Sequence, residues 1–123
     1  MKKQEILTGA VAGPYSPAIK TEGFIFISGQ IPVDAEAGGA MPDGIEAQAR
    51  QSLKNLRAVL QQAGADLGDV VKTTVFLTDM DDFDTVNRVY GEYFERPYPA
   101  RSCIAVVKLP KGALVEIEAV AAV

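Results

Sequence analysis

Two stretches of this chain carry an apolar stripe at helical spacing. Ile45, Ala49, Leu53, Leu56, Leu60 and Ala63 recur at steps of three and four, which predicts one helix of about five turns. Phe83, Val86, Tyr90 and Tyr93 or Phe94 mark a second, shorter one. The other regular stretches read as strand. The predicted order is β-β-β-α-β-α-β-β, an α+β fold with a six-stranded mixed sheet. Two helices cover only one face of such a sheet. The opposite face then meets water or a second copy of the chain, so the pattern predicts an oligomer with pockets between subunits.

The strands are read from their local chemistry. Residues 3–7 form a short first strand. Ala18 to Lys20 and Phe24 to Ser28 are joined at Glu22-Gly23, a hairpin turn. Val70 to Leu77 is rich in β-branched residues. The run Ile104-Ala105-Val106-Val107 has the length and branching of a buried strand, with Pro99-Ala100-Arg101-Ser102-Cys103 at its mouth. Leu114 to Val120 alternates, putting Val115, Ile117, Ala119 and Ala121 on one face and Glu116 and Glu118 on the other. Asp43, with Glu46 reaching back, is the expected cap of the long helix, and Gly64 its stop. Asp81 or Asp82 is the expected cap of the second. Val33 to Asp43 reads as a flexible surface loop, and Lys108 to Ala113 as a link with solvated lysines.

The length of 123 residues fits one domain spanning 1–123, and 48% apolar residues exclude a disordered chain. A formal net charge of −4 argues against a nucleic-acid partner, whose phosphates demand a basic patch. No apolar run approaches the ~20 residues that span a bilayer, and the N-terminus lacks the apolar segment of a signal peptide. Together with a single cysteine, Cys103, this predicts a cytoplasmic protein without a membrane partner.

The absence of histidine cuts deepest into function. It removes Ser-His and Cys-His nucleophilic pairs, and one cysteine cannot close a zinc site. The carboxylates of Asp79, Asp81 and Asp82 lack calcium-loop spacing, so no metal is expected. Acid–base work is left to carboxylates, tyrosine, lysine, backbone groups or water.

Arg101 and Glu116 are the candidates for that work. If their strands are neighbours on the face away from the helices, a guanidinium and a carboxylate share one small space. Either they form a salt bridge across the sheet, or the guanidinium takes the planar anion of a small carboxylic acid with Glu116 beside it. Other positions keep two readings as well. Tyr15 lies between Pro14 and Pro17, as a packed loop residue or a pocket wall. Gly29, after Ser28, is a bulge glycine or a point of close backbone approach to a ligand. Asn87 lies one turn from Phe83 and Tyr90, as a ligand contact or a tie between helix and loop.

Six stretches in order and at the right spacing carry a family resemblance: Gly13-Pro14-Tyr15, Ser28-Gly29-Gln30-Ile31-Pro32, Val71-Lys72-Thr73-Thr74-Val75, Val86-Asn87, Pro99 to Cys103, and Leu109-Pro110-Lys111-Gly112 running into Val115-Glu116-Ile117-Glu118. Over nearly its whole length the chain resembles the reactive intermediate deaminase A (RidA) family, also called YjgF/YER057c/UK114. The resemblance implies a chorismate-mutase-like fold with two helices packed on one face, and a homotrimer. It implies hydrolysis of 2-iminobutanoate, 2-iminopropanoate and their enamine tautomers to a 2-keto acid and ammonia, without a cofactor. These intermediates arise from pyridoxal-phosphate enzymes.

By the same resemblance, Arg101 binds the substrate carboxylate and Glu116 holds the attacking water. The Cys103 backbone carbonyl receives the imine N–H, and Tyr15, Ser28, Gly29 and Asn87 line or support the pocket. Ser16-Pro17 is where this chain departs locally from the family pattern. Three rival functions remain: a regulatory module that binds small carboxylates without turning them over, a ribonuclease or translation inhibitor, and a stoichiometric protein-holding role.

Overall fold

The structure is a computed structural model that describes residues 2–9 and 11–123. Its strands are β1 (Gln4–Ile6), β2 (Ala18–Lys20), β3 (Phe24–Gln30), β4 (Val70–Leu77), β5 (Ala100–Ala105) and β6 (Val115–Ala122), and its helices α1 (Ile45–Gln62) and α2 (Phe83–Tyr93). The six strands form one mixed sheet in the order β1-β2-β3-β6-β4-β5. Only β4 and β5 pair in parallel, with α2 as the crossover between them; the other neighbours are antiparallel. The α+β fold and element order read from the sequence are those observed.

The predicted stripes are the buried faces. Ala49, Leu53, Leu56 and Leu60 of α1 are fully inaccessible, as are Val75 and Leu77 of β4 and Val115, Ile117 and Ala121 of β6. Val86, Val89 and Tyr90 supply the contribution of α2. This core lies between the helices and one sheet face. The alternation of β6 is therefore faithful: its odd positions enter the core, while Glu116 and Glu118 face the other way. That other face is apolar in part, with Phe24 and Phe26 each about half exposed. No helix among the described residues is long and apolar enough to cross a membrane.

Local expectations divide. Gly64 takes φ 86° just past α1, the left-handed conformation that a terminating glycine supplies at low cost. The start of α1 differs from expectation. Gly44, not Asp43, is the cap residue and offers no side-chain bond. Glu46 turns outward instead and binds Arg88 of α2 at 2.6 Å and Arg50 at 3.4 Å. Asp82 is the N-cap residue of α2, one of the two positions expected, but its side chain makes no capping hydrogen bond. Asp79 caps the short 3-10 turn Met80–Asp82 leading into the helix, accepting from Asp81 N–H at 2.9 Å.

The loop after Ile31 is more organised than its composition indicates. Asn55 of α1 donates to the carbonyls of Ile31 and Val33, at 3.1 and 2.8 Å. Asp34 and Ala40 form a bridge around a 3-10 turn at Ala35–Ala37. These contacts come from a residue far away in sequence or from backbone pairing, which local composition does not encode.

β5 departs furthest from its reading. It is an edge strand, not a buried one: Ile104 is 45% exposed and Val107 96%. Its apolar run reflects a surface left uncovered in a single protomer.

Candidate active site

β5 and β6 are not neighbours, since β4 lies between them. The register then decides which way each candidate points. Arg101 pairs with Thr73, whose side chain is fully buried toward α2. Glu116 pairs with Phe76, three residues along β4 and so on the opposite face. The expectation that Arg101 and Glu116 share the open face is thus corrected. Within one protomer they project to opposite faces of the sheet, and no salt bridge joins them.

Arg101 lies against α2. Its guanidinium carbon sits 4.8 Å from the centre of the Tyr90 ring and 5.6 Å from that of Phe83. Among the described residues it makes neither an ion pair nor a side-chain hydrogen bond. An arginine held over aromatic rings keeps its charge and its fork of N–H donors available for a carboxylate. Asn87 shares this helix face, four residues after Phe83 and three before Tyr90. It is half-buried, and its amide has no partner among the described residues. That removes the reading in which it ties the helix to a loop.

Cys103, two residues on, projects to the same side as Arg101 and packs against the core. Burial pushes its thiol above the usual value, and the nearby Arg101 charge only partly offsets this. The thiol therefore stays protonated at neutral pH, which disfavours it as a nucleophile. Its backbone has a different position. Val106 N–H donates to Leu77 C=O across the β4–β5 ladder at 2.7 Å. Backbone direction alternates along a strand, so the N–H and C=O of Cys103 face outward from the sheet edge, where no strand among the described residues pairs with them.

On the open face, Glu116 presses against Gly29. A Cβ built at Gly29 would lie 2.1 Å from Glu116 Oε2. The β3–β6 register slips between Ile27 and Gln30, so Gly29 lies in a bulge, as one of its readings has it, and the close approach it permits here is that of the Glu116 side chain. Partial burial raises the Glu116 carboxyl above its ordinary value, and the charge of Glu118 adds to that shift. It has no cationic partner among the described residues. A poised, unpaired carboxylate of this kind suits a proton acceptor.

Ser28 and Tyr15 are linked through the loop before β2. Ser28 Oγ donates to Ser16 C=O at 2.6 Å, and Ser28 N–H to Pro17 C=O at 2.9 Å. The hydroxyl proton of Ser28 is thereby committed to holding the loop. Tyr15 is 52% exposed, so it is not the packed residue that one of its readings describes. A depression of about 190 Å³ on the open face, lined in part by Phe26, Lys72, Thr74, Glu118 and Val120, includes neither Arg101 nor Glu116.

Residues 6–123 match the family profile described as Endoribonuclease L-PSP. The RutC family protein y4sK of Sinorhizobium fredii is 55% identical to this chain, over 91% of this chain and 88% of its own length. The 2-iminobutanoate/2-iminopropanoate deaminase of Mus musculus is 49% identical, over 91% of this chain and 83% of its own. A solved structure of a Rid-family protein from Yersinia pestis is 46% identical with a TM-score of 0.94, covering 99% of this chain and all of that one. The chain belongs to the reactive intermediate deaminase A family.

Proposed function

We propose that this chain is a 2-iminobutanoate/2-iminopropanoate deaminase, a hydrolase of C–N bonds that converts short 2-imino acids and their enamines to 2-keto acids and ammonia. The observation that carries this reading is the pair of unpartnered groups, Arg101 over its aromatic rings and Glu116 against Gly29. They lie on opposite sheet faces of one chain. Brought together by a neighbouring copy, they supply what imine hydrolysis needs. The active form is then a homo-oligomer, by family resemblance a trimer, whose exposed apolar face with Phe24 and Phe26 is covered by the next subunit. The similarity to a named imine deaminase supports the same reading.

The chemistry follows from the groups. A protonated imine is electrophilic at C2. Arg101 grips the carboxylate through two parallel hydrogen bonds and fixes C2 in place. Such orientation removes several kcal/mol from the barrier. Glu116 from the other copy takes a proton from water as its oxygen bonds to C2, contributing about 10²–10⁴-fold. The carbinolamine that forms loses ammonia once Glu116 has returned the proton to its nitrogen; as the C2–N bond breaks, the Glu116 carboxylate takes the hydroxyl proton, the C2–O bond becomes the ketone, and that proton leaves with the ammonia as ammonium. The outward carbonyl of Cys103 accepts the N–H of the substrate nitrogen. No step uses the thiol.

The matched profile's name gives a second reading, an endoribonuclease. A net charge of −4 and the lack of histidine weigh against phosphodiester cleavage by this chain. The test is to generate imine with a threonine dehydratase and follow keto acid release with and without the protein. Acceleration that Arg101→Ala removes supports the deaminase. Binding of keto acid without acceleration makes the chain a carboxylate-binding module, and cleavage of RNA by the purified chain replaces both readings.

A further inference from the structure

We infer that Tyr90, anchored by Thr73, is a positioning residue for the Arg101 guanidinium, a role distinct from its place in the core. This rests on the carboxylate-binding reading of Arg101 given above. Thr73 is one of the few buried polar residues, and it stands beside Arg101 in the β4–β5 register. Its Oγ1 lies 2.7 Å from the Tyr90 hydroxyl in a buried hydrogen bond. The Tyr90 ring also packs against Phe94, with centroids 4.5 Å apart. The ring is thus fixed at its tip by the strand that pairs with β5 and along its face by a neighbouring aromatic. Arg101 rests on it.

This arrangement addresses a physical problem at a sheet edge. Arginine is long and rotamer-rich, and an edge strand gives it few neighbours. A carboxylate is gripped in two-pronged fashion only when the guanidinium plane is held at one angle. A salt bridge within the protein would fix that plane but occupy the donors. An aromatic platform attracts the cation through its ring face and leaves the N–H groups free. A core tyrosine with no such role could be phenylalanine without a buried threonine hydroxyl to satisfy. Here the Thr73–Tyr90 bond ties the platform to the same strand whose register places Arg101.

The experiment is a double-mutant cycle with Thr73→Val and Tyr90→Phe, read by the inhibition constant of 2-oxobutanoate, by kcat and KM separately, and by the Arg101 Nε–Hε resonance. Thr73→Ser serves as the rescue, and Arg101→Lys assigns the resonance. Each single variant is expected to weaken 2-oxobutanoate and raise KM by about threefold to tenfold, the effect of one buried hydrogen bond. The double variant should be no worse than either single one, because both remove the same bond. Thr73→Ser should behave as wild type. Tyr90→Leu should move the Arg101 resonance out of its ring-shifted position. Folded variants with unchanged constants and an unmoved resonance overturn the inference, as does strict additivity in the cycle. If the wild type neither binds 2-oxobutanoate nor deaminates, the proposed function fails. The resonance in Tyr90→Leu still decides whether Tyr90 positions Arg101.

Discussion

Gly29 and Glu116 stand so close across the β3–β6 bulge that position 29 has no room for a methyl group: an added Cβ would fall 2.1 Å from Oε2 and 2.7 Å from Cδ of the glutamate. The conflict is with the end of a side chain, so the fold can absorb it by moving the carboxylate. Gly29→Ala is therefore expected to leave the melting temperature nearly unchanged while lowering kcat by on the order of 10²-fold, the scale of a displaced general base. A loss of stability with kcat intact would assign Gly29 to the backbone alone.

Arg101→Lys keeps the charge and removes the fork. Two charge-assisted hydrogen bonds shrink to one point contact. The expected fall in kcat/KM is on the order of 10–10²-fold, with the oligomer intact by analytical ultracentrifugation. A lysine variant with near wild-type kcat/KM would show that charge alone suffices.

Glu116 carries a carboxyl raised by burial and by Glu118. A base with a raised value becomes active at higher pH than an ordinary carboxylate, so the acid limb of kcat/KM should lie above the ordinary carboxylate value and vanish in Glu116→Gln. Stability has the opposite sign. The folded state favours the protonated form, so this group's contribution is full below the ordinary carboxylate value and is lost as pH rises through the raised one. Glu116→Gln should thus gain in melting temperature over wild type as pH goes from 4 to 7. An equal gap at both ends would contradict the raised value.

Phe26 is 49% exposed on the uncovered face. Placing a charge there should prevent a second copy from covering it. Phe26→Glu is expected to give a folded protomer of lower mass in solution that lacks deaminase activity, because the proposed meeting of Arg101 with Glu116 of another copy is then prevented. A fully active monomer would show that one chain completes its own site.

Leu53 is fully inaccessible in the α1 stripe. Leu53→Ala should cost about 2–5 kcal/mol of unfolding free energy by urea denaturation, the range for a buried leucine cavity. A much smaller cost would mean that the helix–sheet core collapses around the gap.

The sequence alone determined the periodicities, and these are local. The stripe from Ile45 to Ala63 and the alternation from Val115 to Ala121 each follow from one element's geometry, so the two helices, the element order and the one-sided core were legible from the sequence, whereas the bounds and burial of β5 were not. Tertiary structure decided where the candidate groups point. A side chain's face on a sheet is set by its partner across the ladder, and that partner comes from elsewhere in the chain. The insertion of β4 between β5 and β6 put Arg101 in register with Thr73 and Glu116 with Phe76. Neither pairing leaves a trace in the residues around position 101 or 116. The Tyr90 platform and the Gly29 clearance share that origin: contacts between distant elements, fixed by packing and register and not by propensity.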